Sequence, residues 1–382
     1  MKLYSLFFAF IAMLFACNAP VNMPEKPADI DQSDLPIDRI ILPEGYQIEV
    51  YADNINNARS MSLSPSGTLF VGTRGAGNVY ALKDLDNDYK IDTMYTLFED
   101  GEMPNGVAFK DGDLYVAEVS RVLKFNDIEN NLTNTPEPEV LFDGYPSIRH
   151  HGWKYIAFGP DGNLYVPVGA PCNICESEDP VFNSITRLNM DGSGYEVVQS
   201  GVRNTVGFTW HPITGDLWFT DNGRDWMGDD MPACELNRAA NEKMHFGYPY
   251  CHQGDTPDPD FGDKRSCDEF EAPVQNLGAH TAPLGVEFYT ASMFPEEMHN
   301  NVAFIAEHGS WNRSKKSGYK VSMVKLDSTY NAVAYEDFAT GWLDENTDEA
   351  WGRPVDIEYL PDGSMLVSDD FANAIYRITY KP

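Results

Sequence analysis

The chain has 382 residues, with 27 basic side chains against 59 acidic ones and a formal net charge of −32 at pH 7. A field of that sign repels nucleic acid and anionic lipid, which argues against both as partners. With 42% hydrophobic and 13% aromatic residues the chain can bury a large core, and its few cations make any local basic cluster informative.

Met1 and Lys2 precede an apolar run that ends at Cys17. One positive charge, a short apolar stretch and a small residue before a Cys predict an export signal over residues 1–16. The end of that run, "LFAC", resembles a bacterial lipobox, which makes Cys17 the expected acylation point. Residues 17–38 are polar, Pro-rich and without periodicity, and read as a tether. The expectation is an exported lipoprotein, periplasmic or on the cell surface, that meets the membrane only through its lipid anchor.

From residue 39 onward one pattern recurs: an apolar strand, a Pro/Asp/Gly turn and a second apolar strand. It is seen in "MSLSPSGTLFVGT", "GVAFKDGDLYVAE", "YIAFGPDGNLYVPV", "GFTWHPITGDLWFTD", a stretched "GVEFYTASMFPEEMHNNVAFIAEHG" and "DIEYLPDGSMLVSDD". Anchored on Leu63, Phe109, Phe158, Trp210, Phe288 and Tyr359, the spacings are 46, 49, 52, 78 and 71 residues. Units of this length built from short strands and Gly-rich turns are the signature of propeller blades. Asp-Gly pairs supply the positive φ of tight hairpins. The chain therefore predicts an all-β, six-bladed β-propeller over 39–382. "YQIEVYA" (46–52) is expected to join the blade ended by "AIYRITY" (374–380) and close the ring. The excess length after the fourth repeat predicts an insertion at about 224–283.

Five cysteines follow Cys17. Cys251 and Cys267 flank a loop rich in Asp, Pro and Gly and are the expected disulfide. The CxxC at Cys172 and Cys175 has neither a second CxxC nor a βαβ context, which weakens zinc and thioredoxin readings. One thiol is left over.

In a propeller, the residues just before each first strand and the loops leaving each second strand share one face. Arg149, His151 and Lys154 precede the third blade, Arg203 and Asn204 the fourth, His280 the fifth and Arg353 the sixth. Loops "DNGRDWMGDD" and "EHGSWNRSKK" add Arg224 and Arg313. A cationic mouth on so acidic a chain points to a small ligand with several carboxylates or phosphates, which Arg forks match. The competing reading pairs each Arg with a local acid between blades.

"RHHGWKYIAFGPDGNLYVPVGAPCN", "GVRNTVGFTWHPITGDLWFTDNGRD", "HFGYPYC", "AEHGSWNRS" and "WGRPVDIEYLPDG" resemble the quinoprotein soluble glucose/sorbosone dehydrogenases. These are six-bladed propellers that oxidise sugars with pyrroloquinoline quinone (PQQ). The resemblance runs from about residue 40 to the C-terminus. It implies His151 as general base for the sugar hydroxyl, with hydride passing to the quinone, and Arg203 at the quinone oxygen. It also implies Asn204 as a cofactor contact, with Arg149, Lys154, Arg313 and Arg353 as candidates for the PQQ carboxylates and Trp311 as a stacking surface. His150 is expected to point away along an extended chain. Ca²⁺ is implied against the quinone, held by the backbone carbonyls of Gly223 and Arg224 with carboxylates from Asp221, Asp229 or Asp230. An electron acceptor (a quinone, a cytochrome or a dye) completes the implied partners.

Two positions depart from the glucose-oxidising pattern. An Asp that orients the catalytic His is missing at or near Ala170, leaving His151 unpartnered or paired with a group such as Asn173. Val355 stands where a second Arg is expected. Both move the chain toward sorbosone-like and pyranose-type relatives. A separate loop, "DLDNDYKID", offers Asp84, Asp86, Asp88 and Asp92 to a second Ca²⁺. Fold alone does not choose among sugar oxidation, a Ca²⁺-dependent lactonase-like hydrolase and a non-catalytic binding module, because function resides in the site.

Overall fold

A computed structural model describes residues 35–382. The expected signal peptide, the acylation point Cys17 and most of the expected tether lie outside the described residues. The last tether positions belong to the folded body, with Leu35 and Ile37 packed against core residues. Among the described residues no helix is long and apolar enough to cross a membrane.

Six antiparallel sheets form the blades, each with its strands paired in meander order. Blade 1 comprises Ala58–Leu63, Leu69–Thr73, Val79–Lys83 and Thr93–Phe98. The first two strands of blade 2 are Gly106–Lys110 and Asp113–Ala117, and those of blade 3 are Ala157–Phe158 and Leu164–Val168. Blade 4 opens with Phe208–Trp210 and Leu217–Asp221, and blade 5 with Pro283–Phe288 and Val302–Glu307. Blade 6 uses Pro354–Tyr359, Met365–Asp369 and Ala374–Tyr380, and takes its outer strand, Tyr46–Ala52, from the start of the domain. Tyr46 pairs with Tyr380 and Val50 with Tyr376, so the ring closes as expected.

The second strand of each blade is buried on both faces, which is why "LFVGT", "LYVPV" and "LWFTD" read as near-continuous apolar runs. Apolar side chains form six clusters, one at each junction between neighbouring blades. Phe70 of blade 1, for example, meets Val107 and Leu114 of blade 2, and Trp218 of blade 4 meets Val286 and Ile305 of blade 5. Near the axis the blades approach through glycine: a Cβ on Gly207 would lie 2.0 Å from the Leu284 carbonyl oxygen.

The insertion is narrower than its sequence boundaries. Residues 233–239 and 275–279 are the third and fourth strands of blade 4 itself, leaving 240–274 as the added segment. It contributes Met244–His245 as a fifth, parallel strand on blade 3 and carries the expected Cys251–Cys267 disulfide. Cys172 and Cys175 form a second disulfide, and Cys234 is the buried free thiol.

Candidate active site

One structural position recurs round the mouth of the propeller. Arg74, Glu118, Asn222, His308 and Asp370 are each the first residue beyond the second strand of their blade. The strands run in one direction, so these residues face the same opening as the segments entering each first strand. Arg74, His308 and Asp370 were not picked out from sequence, although this offset was available there; Arg59, inside the first strand of blade 1, was missed as well.

His151 sits in the turn before blade 3 with φ of +49°. Its Nδ1 lies 3.0 Å from the carbonyl oxygen of Ala170. A carbonyl only accepts, so Nδ1 carries the proton and the Nε2 lone pair is left without a protein partner among the described residues. The carbonyl thus takes the orienting place that an Asp fills in the resembled pattern; Asn173 does not. Burial, the Arg203 guanidinium and His150 all push the imidazole well below its ordinary pKa, which keeps it neutral. His150 does not point away as expected. The two histidines occupy a turn rather than an extended chain, and their ring centroids are 4.2 Å apart.

Arg203 and Asn204 enter blade 4 through a turn held by Asp221. Both Asp221 carboxylate oxygens accept backbone amides, from Arg203 at 2.7 Å and Asn204 at 2.6 Å. Burial pushes this carboxyl up to about 6 despite those bonds. Asp221 therefore positions the turn that carries Arg203 and Asn204. The Arg203 side chain donates from Nε to the Asn173 carbonyl (2.9 Å), from Nη2 to Asn173 Oδ1 (2.9 Å) and from Nη1 to the Asn222 carbonyl (3.1 Å). Asp225 adds an ion pair at 3.3 Å. One Nη1–H remains uncommitted. The side-chain amide of Asn204 makes no hydrogen bond within the described protein.

Across the mouth, Arg353 Nε and Nη2 each bond a carbonyl at 3.2 Å, those of His308 and Gly309, with no carboxylate opposite. Arg74 stacks on Trp153 at 3.7 Å from the ring centroid and has no acidic partner. Burial, Arg59, Arg353 and Arg149 together push Arg74 down to about 10, so these cations share one field. Asp370 answers this field, accepting from Arg59 at 2.5 Å and from His308 Nε2 at 2.8 Å. Burial opposes its ionisation, but His308, Arg59 and Arg353 outweigh it and hold the carboxyl far below its ordinary range. Burial and Arg353 in turn push His308 down to about 4, leaving it neutral.

Other expected contacts are dispersed. Lys154 is 1% exposed, with its ammonium over the Tyr145 ring and bonded to the Gly152 carbonyl; burial pushes it down to about 7. Arg224 is paired with Asp258 at 2.6 Å and Asp260 at 3.2 Å, tying the insertion down. Arg313 bonds the Asp229 carbonyl and pairs with Asp230 at 3.1 Å. Local pairing thus prevails for both, and Asp229, which also caps the Ser314 amide at 3.0 Å, is engaged as well. Arg149 is exposed on the rim, 3.9 Å from Glu102. His280 bonds the Gly228 carbonyl at 2.8 Å. Trp311 is 49% exposed and packs edge-to-face on Trp226, an aromatic missed from sequence.

For cations, the carbonyls of Gly223 and Arg224 receive no backbone amide outside the strands, so their oxygens stay available. In the acidic loop, Asp84, Asp86 and Asp88 each bring a carboxylate oxygen within 4.8 Å of the others. Asp92 is not in that group; it accepts the Leu85 amide at 2.6 Å.

The arrangement is a neutral imidazole with a free Nε2 in the field of Arg203 and Arg74, and Arg353 acts on Arg74 in turn. It can take a proton from a bound hydroxyl and hold a planar polyanion. Among relatives, an uncharacterised protein of Borreliella burgdorferi is 33% identical over 355 residues, covering 89% of this chain and 90% of its own length. A pyrroloquinoline quinone-dependent sugar dehydrogenase of Hypocrea jecorina is 22% identical over 329 residues, covering 71% of this chain and 73% of its own. A pyrroloquinoline quinone-dependent pyranose dehydrogenase of Coprinopsis cinerea is 23% identical; the match covers 87% of this chain but 54% of that protein. The solved Trichoderma reesei structure of carbohydrate-active enzyme family AA12 superposes with a TM-score of 0.79 at 20% identity, over 90% of this chain and 98% of that one. The TrAA12-like family model matches residues 40–381, essentially the whole propeller, and the chain belongs to that family.

Proposed function

We propose that this protein oxidises a sugar, of the aldose, sorbosone or pyranose kind, with PQQ as the resident oxidant and Ca²⁺ beside it. The observation that carries the reading is the His151 tautomer: a neutral imidazole whose Nε2 lone pair is free beside an Arg-lined mouth. The residues present fit the cofactor. Arg353 and Arg74 lack carboxylate partners, which is costly on a −32 chain unless an anion completes them. Bound there, PQQ supplies a carbonyl carbon that accepts hydride.

The chain's own residues do the rest. Arg353 and Arg74 would hold the carboxylates, and Asn204 would offer its amide. His151 Nε2 takes the hydroxyl proton as the sugar carbon loses hydride. The uncommitted Nη1–H of Arg203 would be a donor to a developing oxyanion. Gly223 and Arg224 would give carbonyl oxygens to the hard cation. Electrons then leave to an external acceptor. The leader and Cys17 would place the enzyme outside the cytoplasm on a lipid anchor.

The test is titration of the apo-protein with PQQ and Ca²⁺, following quinone absorbance and dye-linked oxidation of an aldose and pyranose panel. Stoichiometric binding and turnover of at least one sugar are expected; no saturable binding would overturn the reading.

A further inference from the structure

We infer that the Cys172–Cys175 disulfide is a redox-sensitive clamp that sets Arg203 through Asn173, which makes Asn173 a positioning residue. The inference deepens the functional reading above by adding regulation of the same site. Its basis is the number of site groups that converge on this four-residue ring. Asn173 lies inside the ring and accepts Arg203 twice, at its carbonyl and at Oδ1, both at 2.9 Å. The same Oδ1 accepts the Asp225 amide at 2.8 Å, and Nδ2 donates to the Asp225 carbonyl at 3.1 Å. Tyr248 braces the ring from the insertion: its hydroxyl accepts the Cys175 amide at 3.1 Å and donates to the Asn173 carbonyl at 3.3 Å. Upstream in the same loop, Ala170 fixes the His151 tautomer and donates its own amide to the Arg203 carbonyl at 2.8 Å.

One loop therefore holds the acid–base group and the oxyanion donor in mutual register, and the cross-link removes the backbone freedom that would blur it. Asn173 belongs to no helix or strand, so besides its hydrogen bonds to Arg203, Asp225 and Tyr248 the disulfide is the covalent restraint on its backbone. Both cysteines are partly exposed, which gives a small thiol access. A dithiol reductant would pass two electrons and two protons to the two Sγ atoms, becoming a disulfide itself while Cys172 and Cys175 become thiols. The loop would then gain freedom, Asn173 would release the guanidinium, and turnover would fall without loss of the propeller.

The test uses the full chain carrying Cys251→Ser and Cys267→Ser, so that Cys172–Cys175 is the one disulfide left among the described residues. Dithiothreitol reduction is confirmed by alkylation and mass spectrometry. The primary readout is hydrogen exchange of the Arg203 Nε–H by NMR, which needs neither cofactor nor sugar. Reduction is expected to speed that exchange at least tenfold, with reversal on reoxidation. Asn173→Ala should show fast exchange while oxidised and no further response to dithiothreitol, and Asn173→Asp, which keeps Oδ1, should recover part of the protection. Unchanged exchange in verified reduced protein overturns the clamp, whatever becomes of the proposed reaction. If sugar oxidation is present, kcat should fall at least tenfold on reduction with KM moving less than about twofold. Faster exchange with unchanged kcat would overturn the regulatory link. Should a substituted chain fail to fold, the unsubstituted protein is reduced stepwise, and the species that mass spectrometry shows alkylated at Cys172 and Cys175 with Cys251–Cys267 intact decides.

Discussion

At the scale of single residues, His151 and its neighbours separate chemistry from binding. His151→Ala is expected to lower kcat by roughly 10²–10⁴-fold, the usual worth of a positioned base, while PQQ affinity stays unchanged. Equal loss of both would remove the base assignment. The base works only when neutral, and its pKa is pushed below the ordinary 6.5, so lower pH is needed to protonate it. The acid side of the kcat/KM profile should therefore stay flat through pH 6.5, and a limb centred at or above that value would contradict the burial argument. Arg353→Ala should weaken PQQ binding about 10–100-fold, because a charge-assisted hydrogen bond is lost. Arg313→Ala, whose guanidinium is spent on Asp229 and Asp230, should change it less than about threefold. Equilibrium titration of both variants checks the contrast. Sequence spacing singled these arginines out as a group. It did not show which of them face an acid, because partners such as Asp258 arrive from a segment far along the chain. His150 was misplaced for a simpler reason: alternation was applied to a turn.

At the scale of elements, the repeat was legible because every second strand is buried on both faces and is followed by a turn at a fixed offset. That offset also marks Arg74, His308 and Asp370, and aligning strand ends instead of strand anchors would have found them. The insertion was overdrawn because strands 233–239 and 275–279 lack the apolar run of the inner strands; both contain polar residues such as Glu235 and Asn276. Blade junctions near the axis depend on backbone proximity that no pattern announces. Gly207→Ala would place a methyl 2.0 Å from the Leu284 oxygen and should destabilise the protein by about 1–3 kcal/mol through overpacking. Calorimetry would show the shift, and an unchanged melting temperature would mean the junction can open freely.

At the scale of the whole molecule, buried carboxyls shape the dependence on pH. Burial pushes Glu235 up to about 8, and Asp356 and Glu358 to about 7. Groups protonated more readily when folded favour the native state at low pH, and that advantage is lost as pH rises through their folded pKa. Histidines pushed the other way, such as His245 and His308 at about 4, cost stability only as pH falls below 6.5. From pH 6.5 to 8 the carboxyl effect is opposed by Lys154, whose pKa near 7 favours the folded state as pH rises, but the raised carboxyls outnumber it, so the melting temperature should fall across that interval; a rise would contradict the assigned burial. Ring closure has a further consequence, for synthesis. Tyr46–Ala52 leaves the ribosome before any blade is made, yet its partner Ala374–Tyr380 follows it by more than 300 residues. At about 5–20 residues per second, the blades wait roughly 20–70 s as an open arc with one unpaired edge. For that interval the nascent protein carries a strand in search of a sheet, and whatever chaperones it must shield Tyr46–Ala52 until blade 6 is made.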